Sequence, residues 1–125
     1  MLLPGTFDCL EELLAAADLF VQPAACDAPP LALLTALASG SPVVAADSPA
    51  LREAIEPGQN GLLFPAGDPK SLAAQMERLL ASPAEGVTLG SAARDLIRSG
   101  PAPAGVVTGY LNVVSQVLST IQRHA

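Results

Sequence analysis

The chain has 125 residues, half of them hydrophobic and 14% charged, with a net charge of −6. That length holds one domain with a real core, yet it is short for an enzyme that must build two substrate sites. The six basic side chains (Arg52, Lys70, Arg78, Arg94, Arg98 and Arg123) are scattered, which excludes a basic stripe for a nucleic-acid backbone.

An acidic chain also attracts a pyrophosphate poorly unless backbone dipoles or a partner supply positive field. No run reaches the roughly 18–20 uncharged apolar residues that a membrane helix needs, so no transmembrane segment is expected. The start, MLLPGTFD, lacks the basic flank of a signal peptide. Cys9 and Cys26 lie in or beside apolar segments, either as a pair or as small buried thiols. The second reading fits a reducing compartment, and a cytoplasmic location is expected.

In chain order, the first element is a helix over Cys9–Ala17. Its apolar face is Leu10, Leu13, Leu14 and Ala17, with Asp8 and Glu11 as a capping box. Leu19–Val21 reads as a short, fully covered strand ended by Pro23. Pro30–Ser39 is a Leu/Ala-rich helix closed at Gly40 by a left-handed cap. Val43 and Val44 centre the next strand, and Ser48 caps a short helix over Pro49–Ile55. The run Pro57-Gly-Gln-Asn-Gly61 is a turn, and Leu62–Phe64 a third strand. Asp68 caps a helix over Pro69–Leu80, with Leu72, Met76, Leu79 and Leu80 on one face. Beyond Pro83 the pattern is helical, over Val87–Arg98 and again from about Gly105.

Short strands separated by helices predict parallel crossovers and an α/β layered domain. Three strands are few for such a sheet, so it is expected to be incomplete on its N-terminal side. The expected division is residues 1–83 as a partial α/β domain and 84–125 as a helical segment packing back on it.

The stretch with chemistry runs from Pro23 to Val44, and reads strand, loop, helix, strand. Its loop lies at the carboxyl edge of the sheet, where open α/β sheets bind ligands. Pro29 and Pro30 lack N–H groups, so two of the amides that would cradle a phosphate are expected to be missing. Asp27 is either a cap or turn residue, or a ligand contact.

This stretch resembles the signature of the retaining family 4 glycosyltransferases, in which two carboxylates spaced Glu-x7-Glu precede Gly-x-Pro-Val. Asp27 falls on the first position and Thr35 on the second, followed by Gly40-Ser-Pro-Val43. Ala46-Asp-Ser-Pro-Ala-Leu-Arg-Glu53, Asn60-Gly-Leu-Leu-Phe64 and Gly67-Asp-Pro69 match further family segments, and the similarity covers roughly residues 4–83. The Tyr110–Leu118 helix resembles the family's C-terminal helix.

The resemblance implies a Rossmann-like parallel sheet, part of a GT-B donor domain, that holds a nucleoside-diphosphate sugar without metal or other cofactor. It implies donor contacts at Asp27, Ala28, Leu31, Ala32, Thr35 and Glu53, and singles out no catalytic residue. Thr35 stands where a carboxylate accepts the ribose hydroxyls, which implies weakened donor binding; otherwise it is a packed helix residue beside Leu31 and Ala38. Glu53 either meets the donor, or caps its helix or pairs with Arg52, itself read as a solvated helix residue. The acceptor domain and the family's basic pair for the pyrophosphate have no counterpart in these residues, so the isolated chain is expected not to turn over. The alternative reading is a non-catalytic interaction module that keeps the fold.

Expected partners are a weakly held nucleotide sugar and a separately encoded N-terminal half. A second copy is the other candidate, docked on the apolar face Val107, Tyr110, Val114, Val117, Leu118 and Ile121.

Overall fold

The computed structural model describes residues 10–26 and 28–100. The elements are α1 (Leu10–Ala16), β1 (Phe20–Gln22), α2 (Leu31–Ser39), β2 (Val43–Asp47), α3 (Pro49–Arg52), β3 (Leu62–Pro65), α4 (Pro69–Ala81) and α5 (Pro83–Ser99). The strands pair in the order β1-β2-β3, all parallel, with Phe20 opposite Val43, Val44 opposite Leu62 and Asp47 opposite Pro65. The α/β class with a Rossmann-like parallel sheet is therefore the observed one. β1 is an edge of the described sheet, so its residues are half-buried and not fully covered as the apolar run predicts.

Alternation along β2 divides the core in two. Val43 and Ala45 join Leu14, Leu33, Ala36, Leu37, Leu51 and Ile55 on one face, under α1, α2 and α3. Val44 and Ala46 join Leu62, Phe64 and Leu79 on the other, under α4. In α2 the buried residues Leu33, Ala36 and Leu37 fall at helical spacing, so one stripe packs on the sheet. In α1, Leu14 is buried and Leu10 packs beside it, whereas Leu13 and Ala17 of the expected face are exposed. In α4, Leu79 is buried and Leu72 and Met76 are half-buried, but Leu80 turns outward.

α5 serves both faces. It places Leu89 in the α4 core and Ala93 in the α2 core. To do so it crosses beneath the amino ends of the strands, and two glycines permit the approach. A Cβ at Gly90 would overlap the backbone carbonyl of Gly40, and one at Gly86 would lie 3.1 Å from Pro42 Cγ. The helix starts at Pro83, four residues earlier than the pattern predicts, because proline in its first turn costs no hydrogen bond. The Asp8 cap, Cys9 and the final helix from Gly105 lie outside the described residues, while Cys26 is free and half-buried against the α2 core.

The remaining turns follow local chemistry. Gly40 closes α2 at φ 81°, its N–H donating to Ala36 and Leu37 carbonyls. Asn60 is buried and fastens the turn before β3: its Oδ1 accepts from the Glu56 N–H at 2.7 Å and its Nδ2 donates to the Ala54 carbonyl at 3.0 Å. Among the described residues no helix is long and apolar enough to cross a membrane.

Candidate functional site

Parallel topology sets the loops after β1, β2 and β3 at one edge of the sheet, the edge where such folds take ligands. Three helices start there, and their amino termini differ. α3 is capped by Ser48, whose hydroxyl accepts from the Leu51 N–H at 3.4 Å. α4 is capped by Asp68, whose Oδ1 accepts from the Lys70 and Ser71 N–H groups at 3.0 and 3.2 Å. The Ser71 hydroxyl adds a bond of 2.7 Å to Asp68 Oδ2. These bonds, the Ser71 hydroxyl foremost, hold the Asp68 carboxyl below its ordinary value of 3.8.

α2 is different. Its N-cap is Pro30, in extended conformation, with no side-chain cap, and the first helical bond is Leu34 N–H to the Pro30 carbonyl at 3.2 Å. This corrects the expectation that the prolines remove first-turn donors. The helix begins at Leu31, so Pro29 and Pro30 precede it, and Leu31, Ala32 and Leu33 carry the three first-turn N–H groups. Those amides and the helix dipole make the amino end of α2 attractive to an anion.

Four of the six expected donor contacts lie on this segment. Ala28 is exposed, Leu31 is the first helical residue and 78% exposed, and Ala32 and Thr35 are half-buried. Asp27 lies outside the described residues. Thr35 is half-buried between two exposed residues, Leu31 and Ala38. Its hydroxyl donates to the Leu31 carbonyl at 2.9 Å. That bond uses its proton and leaves its lone pairs free to accept.

Glu53 sits apart, on α3, as an exposed C-cap. It does not pair with Arg52. Arg52 pairs with Asp47, through Nε to Oδ1 at 2.5 Å and Nη2 to Oδ2 at 2.6 Å. Arg52 is thus an ion-paired residue, not a merely solvated one. The pair holds the Asp47 carboxyl below its ordinary value, mainly through the hydrogen bond from Arg52, and raises the guanidinium in turn. Sequence reading passed over Asp47. Its signal was an acid at the end of a buried strand with an arginine five residues on, across a proline-started turn.

A cavity of about 200 Å³ opens at the same edge on the α4 side, lined by Pro23, Phe64, Gly67, Asp68, Pro69 and Leu72. Among the described residues no cluster of three or more His, Cys, Asp or Glu side chains is placed to hold a metal.

The family model for glycosyl transferases group 1 matches residues 1–82. The chain belongs to the group 1 glycosyl transferases. It is 36% identical over 90 residues to the D-inositol 3-phosphate glycosyltransferase of Streptomyces bingchenggensis (strain BCW-1), a match covering 72% of this chain and 20% of that protein. Among solved structures, this glycosyl transferase chain is similar to sucrose-phosphate synthase from Thermosynechococcus elongatus. Identity there is 28% and the TM-score 0.77, over 86% of this chain and 27% of that one. It is also similar to Anabaena HepE, solved in complex with UDP, with 27% identity and a TM-score of 0.71 over 86% of this chain and 29% of that one. The complex of HepE with UDP-glucose gives 26% identity and a TM-score of 0.73, over 88% and 30%. The chain thus spans less than a third of the length of these relatives. The fold is that of a GT-B glycosyl transferase domain.

Proposed function

We propose that this chain forms the donor side of a retaining glycosyl transferase and takes a nucleoside-diphosphate sugar at the amino end of α2, without a metal or cofactor. The observation that carries the reading is the first turn of α2, which no side chain among the described residues caps. Leu31, exposed, and Ala32, half-buried, present first-turn N–H groups with no helical partner at the carboxyl edge, while Leu33 beside them is buried in the core. UDP bound to Anabaena HepE, a relative of the same fold, supports a nucleotide as the occupant.

The donor would lie with its phosphates toward these amides and its ribose toward Thr35, with Asp27, Ala28 and Glu53 flanking the sugar. Thr35 limits the affinity. A hydroxyl accepting one neutral hydrogen bond is worth about 0.5–1.5 kcal/mol, against about 1.5–3 for a bond to a carboxylate. Turnover needs an acceptor held in line and a stabilised leaving diphosphate. Among the described residues the cation on the α2 side of this edge is Arg52, already paired with Asp47, so weak donor binding without transfer is the expected behaviour.

A second reading, an interaction module without chemistry, is favoured by Thr35 itself, a neutral hydroxyl where the resemblance calls for a carboxylate. Calorimetric titration with UDP-, GDP- and ADP-sugars separates the two. Binding at millimolar concentration or better, lost in Asp27→Ala, supports the donor site. No heat with any of the three leaves the interaction module, for which a separately encoded N-terminal half or a second copy is the partner to seek.

A further inference from the structure

Alternation along β2 sends Asp47 to the same side as Val43 and Ala45, the side carrying α2. Arg52 ends α3, which packs on that side through Leu51. The other basic residue at the carboxyl edge, Lys70, belongs to α4 on the opposite face. Among the described residues, Arg52 is therefore the cation on the α2 side of the edge that binds ligands. It is not free. Asp47 takes the guanidinium side-on, at 2.5 and 2.6 Å, and two of its five N–H donors are used.

The pair is exposed, with 63% of the Arg52 side chain and 32% of the Asp47 side chain open to solvent. Such pairs are weak in water and readily exchanged. Two oxygens of a phosphate pair bidentately with a guanidinium as a carboxylate does, with at least as much charge.

We propose that Asp47 is an intramolecular competitor for Arg52, holding the guanidinium in reserve until a diphosphate displaces it. The proposal rests on the donor-site reading above and adds a regulatory contact to it. With Asp47 in place the pair is nearly neutral, so the edge offers an incoming diphosphate little net positive charge. Exchange of partners supplies that charge only when a ligand with phosphates is seated. A nucleoside without phosphates gains nothing from it.

The test is a double-mutant cycle read by titration with UDP, with inorganic pyrophosphate and with uridine, followed by NMR. Asp47→Asn keeps the shape and removes the competing charge, and is expected to tighten UDP and pyrophosphate by about five-fold. In an Arg52→Gln background the same change is expected to give less than about two-fold, the residue of direct screened repulsion. Uridine affinity is expected to stay unchanged throughout. Equal gains with and without Arg52, or weaker UDP binding in Asp47→Asn, would overturn the competitor while leaving the donor site standing. UDP binding in none of the four proteins would overturn both.

Discussion

The two ends of the sheet are built for different ends. At the amino end α5 lies across the strands, joins both cores through Leu89 and Ala93, and comes so close to the α2–β2 connection that only glycine fits at position 90. Arg94 on the same helix donates to the Ser39 carbonyl at the C-terminus of α2, where a cation complements the helix dipole. At the carboxyl end the described residues leave groups unspent: α2 amides with no side-chain cap among them, an exposed Leu31, and an exposed arginine paired with a half-buried carboxylate. Closed packing at one end leaves the other free to carry polar groups that a ligand satisfies.

That contrast predicts opposite responses to substitution. The largest effect is expected from Gly90→Leu, since backbone stands where the side chain would go. Overpacking should cost about 3 kcal/mol, seen as a fall in Tm of about 15 °C in thermal denaturation. An unchanged Tm would mean that α5 does not close the amino end as described. Gly86→Ala is the control there, because flexible Pro42 Cγ is the nearest obstacle and alanine favours the helix.

Next in size is Thr35→Glu at the open end. A carboxylate in place of the hydroxyl is expected to tighten UDP by roughly ten-fold in calorimetry, with little change in Tm. No gain would move the ribose away from this face of α2.

Asp68→Ala tests the capped helix against the uncapped one. It is expected to lower Tm by about 5 °C at neutral pH and leave UDP affinity alone. The Asp68 carboxyl titrates below its ordinary value of 3.8, so its contribution is fully present above that pH. It is lost as pH falls through the lower, folded value. The difference in Tm between wild type and variant should therefore vanish only below pH 3.8, and a difference lost near neutrality would contradict the cap. The smallest effect is expected from Leu31→Ser, within about 0.5 kcal/mol of wild type in denaturant titration, because the side chain is already in water.

Much of this fold is written in local signals. Gly40, Ser48 and Asp68 announce their caps, and the Val43–Val44 run announces a buried strand, because each depends on neighbours within a few residues. The order of segments from Asp18 to Leu80 carries the family. What sequence reading missed depends on the third dimension. The Leu/Ala pattern predicts a helix from Pro30, whereas α2 begins at Leu31, and that one residue moves both prolines out of the first turn. The buried face of α1 is narrower than its periodicity predicts, because a pattern does not say how much of a stripe its neighbours cover. Asp47 and Arg52 both stand in a segment legible from the sequence, but their pairing joins the end of a strand to the end of the next helix and depends on how the turn between them folds.

The amino end of α2 is the proposed ligand site. Titration of the ¹⁵N-labelled chain with UDP-glucose, followed by amide chemical shifts, tests it most directly. The expected result is saturable binding in the millimolar range with the largest shifts at the Leu31, Ala32 and Leu33 amides. Shifts confined to α5 and the amino end of the sheet, or none at all, would contradict it.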